Sequence, residues 1–148
     1  MLKYISNTSC LIILANINCL DILQKLYSKI YISSEVAYEF GEDLPQWIEI
    51  IEVKNSNYTK ILNQTVDLGE ASTIALHLEI DNSVMILDDK KARNLAQRME
   101  LKFTGTLGVI IKAYQTGLID NLEDIIKQFD EKGFRIPPNI LAELHKKS

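Results

Sequence analysis

Short apolar runs alternate with helical patterns along most of the chain. Five of these runs predict β-strands, at residues 2–6, 30–32, 47–54, 83–87 and 102–105. The run Ser83 to Leu87 is the most continuous, whereas Trp47 to Lys54 alternates apolar and polar residues like a strand with one exposed face. Because helical segments separate the strands, the pattern predicts an α/β fold with a parallel sheet that helices cover on both faces. Ligands of such sheets bind beyond the carboxyl ends of the strands.

The segments between the runs predict helices, and residues suited to N-capping precede three of them. Those residues are Thr8 or Ser9, Ser33 or Ser34, and Asp67. Glu70 follows Asp67 at the spacing of a capping box. Further helices are predicted for LDILQKL, KKARNLAQRM, TLGVIIKAYQTG and NLEDIIKQFDEKG, and a last helix is predicted after Pro137 and Pro138. Gly133 is suited to end the helix that precedes it.

The length and composition are those of one globular domain, which we expect to span residues 1–148. Of the 148 residues, 47% are hydrophobic and 24% are charged. No apolar run has the length of a membrane span, and Asn7 interrupts the opening segment too early for a secretory signal. Cys10 and Cys19 lie in apolar contexts, which indicates buried thiols in a reducing cytoplasm. The two histidines are far apart, which argues against a zinc cluster.

Acidic residues fall near the predicted carboxyl ends of the strands or at the start of the next helix. They are Glu39, Glu70, Asp88 and Asp89, and Asn7 follows the first strand in the same way. In a parallel sheet these positions can converge on one rim. Carboxylates without histidine suit Mg²⁺ or Mn²⁺, which prefer oxygen ligands. The chemistry typical of such a site is phosphodiester hydrolysis, in which the metal ion lowers the pKa of an attacking water.

Each carboxylate also has an ordinary structural explanation. The capping box accounts for Glu70 by itself. Asp88 or Asp89 can cap the helix that follows, which explains one of the two aspartates but not both. Glu39 lies one turn after Glu35 on a predicted helix, and at least one of that pair is expected to face solvent. The residues alone therefore leave Glu39 open and favour the capping role for Glu70.

Two small motifs and a basic run lie near these acids. The motifs SNTS (residues 6–9) and GTLG (105–108) can hold a water or a phosphate oxygen, but they can equally form a helix cap and a tight turn. The basic run consists of Lys90, Lys91, Arg93, Arg98 and Lys102. Such a run is usually a solvated face. With a formal net charge of −4, an RNA-binding chain would need a local basic face of this kind.

Five motifs in this order resemble the PIN-domain family, in the branch of the VapC-type toxins. They are ISNTSCLIILANINCLDILQKLY, YISSEVAYEF, DLGEASTIALHLE, MILDDKKARNLAQRM and FTGTLGVIIKAY. The resemblance is strongest over residues 1–115, and the helices of residues 121–148 are expected to belong to the same domain. It implies a parallel sheet of about five strands between helices. It also implies a cytoplasmic, homodimeric, Mg²⁺-dependent endoribonuclease, with Mn²⁺ as the alternative ion, that cuts tRNA or rRNA and is inhibited by a small cognate antitoxin.

The resemblance assigns catalytic residues one by one. The family's first acid falls on Asn7, with Thr8 and Ser9 as neighbouring hydroxyls. The later acids fall on Glu39, Glu70 and Asp89, with Asp88 as the adjacent candidate, and Thr106 takes the place of a further polar group. The implied metal ligands are Glu70, Asp89, Asp88 and Asn7. The basic run itself, and not the resemblance, supplies the predicted RNA-binding residues, which are Lys90, Lys91, Arg93, Arg98 and Lys102.

Asn7 departs from the family pattern, because an amide oxygen brings no charge to a metal ion. Either the remaining carboxylates suffice for a nuclease, or the chain is a catalytically impaired module that binds RNA or a protein partner. A phospho-acceptor receiver domain is a third interpretation of the sequence ILDD. Receiver domains carry the acidic pair after their first strand, whereas Asp88 and Asp89 come late in this chain. We therefore rank that interpretation last.

Overall fold

Five parallel strands form the central sheet of the computed structural model, which describes residues 1–134, 136, 138 and 142. The strands are β1 (Lys3–Ser6), β2 (Ile30–Ser33), β3 (Ile48–Ile51), β4 (Ser83–Ile86) and β5 (Phe103–Thr104). Their order is β3-β2-β1-β4-β5, and every neighbouring pair is parallel. The predicted α/β fold with a five-stranded parallel sheet is confirmed. The edge strand β3 is shorter than predicted because its one neighbour, β2, pairs with it over only four residues.

Eight helices flank the sheet in the described part of the chain, and the last two follow β5. They are α1 (Thr8–Asn16), α2 (Asp21–Tyr27), α3 (Ser34–Phe40), α4 (Ser56–Leu62), α5 (Leu68–Glu79), α6 (Lys90–Arg98), α7 (Thr106–Gln115) and α8 (Leu122–Glu131). The predicted N-caps Ser33 and Asp67 are confirmed, and Gly133, with φ of +83°, follows the end of α8 as predicted. At α1 the prediction of Thr8 or Ser9 is wrong, because Asn7 is the cap. The helix predicted after Pro138 falls largely outside the described residues.

The apolar pattern does not predict α4. Its sequence buries only Thr59 and Leu62, while Tyr58 and Ile61 remain exposed. The helix packs against α5, and the backbone amide of Asn55, just before its start, donates a hydrogen bond to the Glu79 carboxylate at the end of α5. Tertiary contacts therefore stabilise a helix that is too short and too polar to be recognised from periodicity.

Two apolar clusters cover the two faces of the sheet. One joins α1, α2, α7 and α8 and contains the fully buried ring of Phe129. The other joins α5 and α6 and contains Ala92. Strand β4 contributes to both, because Ile86 belongs to the first cluster whereas Met85 and Leu87 belong to the second. This alternation is the period of two that a strand buried on both faces requires.

The carboxyl ends of β1 and β4 meet at the point where the strand order reverses. Strands β2 and β3 lie on one side of β1, and β4 and β5 lie on the other. The backbone amide of Asn7 donates a hydrogen bond to the carbonyl oxygen of Ile86 at 3.1 Å, so the residues that follow β1 and β4 are neighbours. Helix α5 runs back along β4 and begins at the same edge, which brings Asp67 and Glu70 there. Open α/β sheets bind ligands at such a point.

Searched for membrane spans, the described residues contain no single helix that is long and apolar enough to cross a bilayer. Helices α1 and α2 satisfy the criteria of length and composition only when taken together, and they are bent by 118° at their junction.

The two cysteines are free thiols in different surroundings. Cys10 is buried, as predicted, whereas Cys19 is only partly buried. Burial, together with the charge of Asp88, raises the pKa of the Cys10 thiol to about 12. Cys10 therefore stays protonated at neutral pH and acts as an apolar core residue.

Candidate active site

A small cavity of about 40 Å³ lies at the carboxyl edge of the sheet. Its lining residues come from the loop after β1, from α3 and from the start of α5: Asn7, Thr8, Ser9, Glu39, Asp67, Gly69 and Glu70. Three of the predicted site residues, Asn7, Glu39 and Glu70, therefore meet around one space, together with the hydroxyls of the SNTS motif. The cavity is large enough for a water or a metal ion but not for a nucleotide.

Asn7 turns one end of its amide towards the backbone and leaves the other without a partner. Its Oδ1 accepts a hydrogen bond from the amide of Cys10 at 3.1 Å and so caps α1. Its Nδ2 is buried without a hydrogen-bond partner, and the residue is only 2% exposed. An aspartate at this position could cap the helix with one oxygen and offer a second oxygen to a cation. Asn7 instead offers a hydrogen-bond donor.

Glu70 carries the most strongly perturbed carboxyl group of the site. Burial is the largest cause, followed by the hydrogen bonding and charge of Asp67 and by the charge of Asp89, and together they raise its pKa to about 8. The capping role predicted for Asp67 is confirmed, since its side chain accepts a hydrogen bond from the Glu70 amide at 3.0 Å. A capping box explains the position of Glu70, but it does not explain why two further carboxylates face it.

Glu39 reaches the site from α3 by lying over a glycine. A Cβ atom at Gly69 would collide with the Glu39 carboxylate, so the absence of a side chain there makes room for Glu39 against the first turn of α5. Burial, and then the charge of Asp67, raises the pKa of Glu39. Although much of its side chain is exposed, Glu39 therefore belongs to the same electrostatic group as Glu70.

The two aspartates that end β4 have separate structural partners. Asp89 is the N-cap of α6 and accepts a hydrogen bond from the Ala92 amide through Oδ2 at 3.1 Å. Asp88 instead accepts two hydrogen bonds from Thr106, one from its amide at 2.8 Å and one from its hydroxyl. Of the two caps that the sequence allows, the structure forms the one at Asp89.

Asp88, Asp89 and Thr106 do not line the small cavity. Thr106 is fully buried, and its hydroxyl is used by Asp88, so it positions that carboxylate. Gly105 makes this approach possible, because a Cβ atom there would stand 3.1 Å from Asp88 Oδ1 and 3.4 Å from Arg93 Nη1. Asp88 is therefore tied to the start of α7, whereas the charge of Asp89 reaches Glu70.

The basic run divides between the two ends of α6. Lys90, Lys91 and Arg93 lie in the first turn, beside the acidic edge, and Arg93 stacks over the Phe103 ring at 5.3 Å. Arg98 ends the helix, roughly 12 Å from Lys90 along the helix axis at 1.5 Å per residue. Lys102 precedes β5 and so lies at the amino end of the sheet. Only the first three basic residues adjoin the candidate site.

The donors at this edge suit a hard divalent cation in chemistry and charge. Within the described ranges, no three His, Cys, Asp or Glu side chains are close enough to hold a metal ion together. Mg²⁺, however, keeps several waters and binds through one or two carboxylates plus the phosphate of its substrate. Burial is the largest cause of the raised pKa of Glu70, and the negative charges of Asp67 and Asp89 add to it. A cation here would offset those charges, so the residues present fit Mg²⁺ in chemistry and charge.

Asp67 is the site residue that sequence reasoning misses. Its spacing to Glu70 predicts a capping role, and that role by itself explains the residue, so the sequence gives no reason to assign Asp67 to the site as well. In the structure Asp67 lines the cavity and contributes charge to both Glu39 and Glu70. The only signal in the sequence is that a capping residue stands three positions from an expected metal ligand.

The fold agrees with the comparison to known families. A family model described as a PIN domain matches residues 3–148, almost the whole chain. Comparison with curated proteins and with solved structures found no match. PIN domains are generally nucleases, and they commonly use divalent metal ions. The chain therefore belongs to the PIN-domain family.

Proposed function

We propose that this chain is a metal-dependent endoribonuclease of the VapC toxin type. In this proposal it acts in the cytoplasm on tRNA or rRNA, forms a homodimer and is held inactive by a small cognate antitoxin. The observation that carries the proposal is the convergence of Asn7, Glu39 and Glu70 around one cavity at the point where the strand order reverses. Membership in a family of nucleases supports the same reaction class.

The residues divide the work according to their contacts. Glu70 and Asp89 would hold Mg²⁺ (or Mn²⁺), whose chemistry is to lower the pKa of a water and to stabilise charge on the leaving oxygen. Glu39 and Asp67 add the negative charge that favours a cation here. Asp88, held by Thr106, maintains the geometry of the β4 edge. Asn7, with a buried donor free, is suited to donate a hydrogen bond to a water held in the small cavity.

The first turn of α6 is the part of the basic run that adjoins this chemistry. Lys90 and Lys91 are exposed there and can contact the phosphates that flank the cleaved bond. Arg98 and Lys102 lie at the other end of α6, so a contact with RNA there would require a strand that runs along the whole helix.

Cleavage of a total RNA pool by purified protein, with Mg²⁺, Mn²⁺ or EDTA, tests the proposal. Asp89→Asn is the variant of choice, because Asn is as good an N-cap as Asp and removes only the charge. Asp89→Ser, a third good cap, is the matched control for helix stability. We expect discrete metal-dependent fragments from the wild type and none from either variant, at unchanged melting temperature. Fragments that persist in EDTA or in Asp89→Asn would contradict the proposed site.

One observation favours a second candidate function, a catalytically impaired PIN module that binds RNA or a protein partner. Asn7 supplies a donor where the family pattern has an acid, and no three acidic side chains in the described part of the chain form a metal cluster. This candidate predicts that the wild type binds RNA without cutting it. If the wild type does not cut RNA and Asn7→Asp does, the wild type is a PIN module that lacks nuclease activity because of Asn7.

A further inference from the structure

A larger groove adjoins the small cavity on the side of α3. Its volume is about 520 Å³, and its walls come from α3 and from the start of α5: Ser34, Glu35, Tyr38, Glu39, Asp67 and Leu68. Glu39 and Asp67 line both spaces, so the groove begins where the small cavity ends. Volumes of about 300–1,000 Å³ are typical of clefts that hold a small ligand or part of a larger one.

Tyr38 is the unusual residue of this groove. It lies on α3 with 89% of its surface exposed, although neighbouring positions of the same helix pack into the core. Leu68, 48% exposed, forms an apolar part of the facing wall. An exposed aromatic ring beside a nuclease site offers a stacking surface for a base, and stacking tolerates any base because every base has a π-face.

The polar groups of the groove select which part of a nucleotide can enter. Glu35, Glu39 and Asp67 carry carboxylates, which accept hydrogen bonds and repel phosphate. The Ser34 hydroxyl can donate or accept. An exocyclic amino group, present in adenine, cytosine and guanine, can donate two hydrogen bonds to these carboxylates, whereas uracil can donate only through its ring N3–H. The phosphates would stay outside the groove, towards the first turn of α6.

We propose that the α3–α5 groove is a subsite for one unpaired, amino-bearing base next to the cleaved phosphate, with Tyr38 as its stacking surface. The inference rests on the proposed endoribonuclease function and specifies its substrate as single-stranded RNA at this position. Tyr38 would set KM and site preference, because it lies in the groove and not among the residues that line the small cavity.

The test uses short single-stranded RNA substrates that carry one abasic position, moved stepwise along the strand from the cleaved bond. We expect one abasic position to raise KM about five- to 150-fold with little change in kcat, the size of a base–aromatic stacking contact. A substrate with uracil at that position should have a KM between that of the abasic substrate and those of substrates with an amino-bearing base. Tyr38→Ala should raise KM for the intact substrate and remove the effect of the abasic position. Tyr38→Phe, which keeps an aromatic ring, should retain the wild-type KM and the abasic effect.

Tyr58→Ala is the matched control. Tyr58 is also exposed, but it lies on α4, whose start is tied to Glu79 at the far end of α5. This variant should leave KM and the abasic profile unchanged. Glu35→Gln should reduce the preference for amino-bearing bases over uracil.

The possible failures are separable. If the wild type cuts none of the substrates with any metal, the endoribonuclease function is refuted and the subsite with it. If it cuts them but Tyr38→Ala keeps the abasic profile, only the subsite is refuted. If Tyr38→Ala keeps that profile and weakens self-association in sedimentation experiments, the groove is covered by a second copy of the chain, which also overturns the subsite.

Discussion

Glu70→Gln should stabilise the fold at high pH and abolish the proposed metal-dependent cleavage of RNA. Gln occupies nearly the same volume as Glu and serves equally well at the third position of a capping box, so the local structure of α5 is preserved. The change removes one negative charge from the point that the carboxylates of Asp67 and Asp89 face. Because burial and these charges disfavour the ionised form of Glu70, its replacement by Gln should give a pH-dependent gain in stability.

The size of the gain follows from the pKa. A carboxyl group whose pKa rises from 4.5 to about 8 costs the folded state up to roughly 5 kcal/mol when ionised, at about 1.36 kcal/mol per unit. Glu70 is 9% exposed and lines a cavity that can hold a water, so this figure is an upper limit, which solvent screening lowers.

The sign of the pH dependence can be stated. Between pH 4.5 and about 8 the folded wild type binds more protons than the unfolded chain. Its free energy of unfolding therefore falls as the pH rises through this window and levels off above it. Gln has no such proton, so the variant should match the wild type at the acid end of the window and exceed it at the alkaline end.

Urea denaturation in EDTA at about pH 5 and about pH 9 measures both limits. Glu52→Gln, an exposed glutamate in the loop after β3, is the matched control and should show no difference. Adding Mg²⁺ at the higher pH should stabilise the wild type more than Glu70→Gln, because binding to the folded state adds to stability. A Glu70→Gln variant that is destabilised equally at both pH values would refute the reasoning and reduce Glu70 to a capping residue.

Three further substitutions test other parts of the site. Asn7→Asp keeps the α1 cap and adds a carboxylate oxygen, so Mg²⁺ binding measured by calorimetry should tighten about tenfold or more, and an unchanged affinity would place the ion elsewhere. Thr106→Val removes the hydroxyl bonded to Asp88 and should cost about 1–3 kcal/mol of stability by urea denaturation, with Thr106→Ser recovering most of it. Gly69→Ala should displace the Glu39 carboxylate and lower kcat in the RNA cleavage assay; full activity would show that Glu39 has no part in the reaction.

Local signals along the chain predict the architecture because their causes are local. The strands β1, β2 and β4 and the caps at Ser33 and Asp67 follow from apolar runs and from side chains that bond amides three residues away. Helix α4 has a local cap at Asn55 but no apolar periodicity, and the other contacts that hold it come from α5.

The division of roles at the acidic edge depends on contacts between residues distant in sequence. In the sequence, Asp88 and Asp89 are equivalent candidates for the cap of α6. The structure distinguishes them because Thr106, at the start of α7 and 18 residues after Asp88, donates a hydrogen bond to Asp88. Glu39 and Gly69 likewise meet only because α3 packs against α5.

Chemical identity can thus be read from the sequence, whereas orientation and proximity cannot. The sequence shows that Asn7 has no negative charge, and the structure shows that its oxygen caps α1 while its nitrogen is buried without a partner. The sequence lists one basic run, and the structure separates its first turn from Lys102 by the length of α6. The covalent structure fixes the chemical identity of each side chain. Its neighbours, and through them its pKa and its role, are set by the packing of helices onto a sheet whose strand order reverses at β1 and β4.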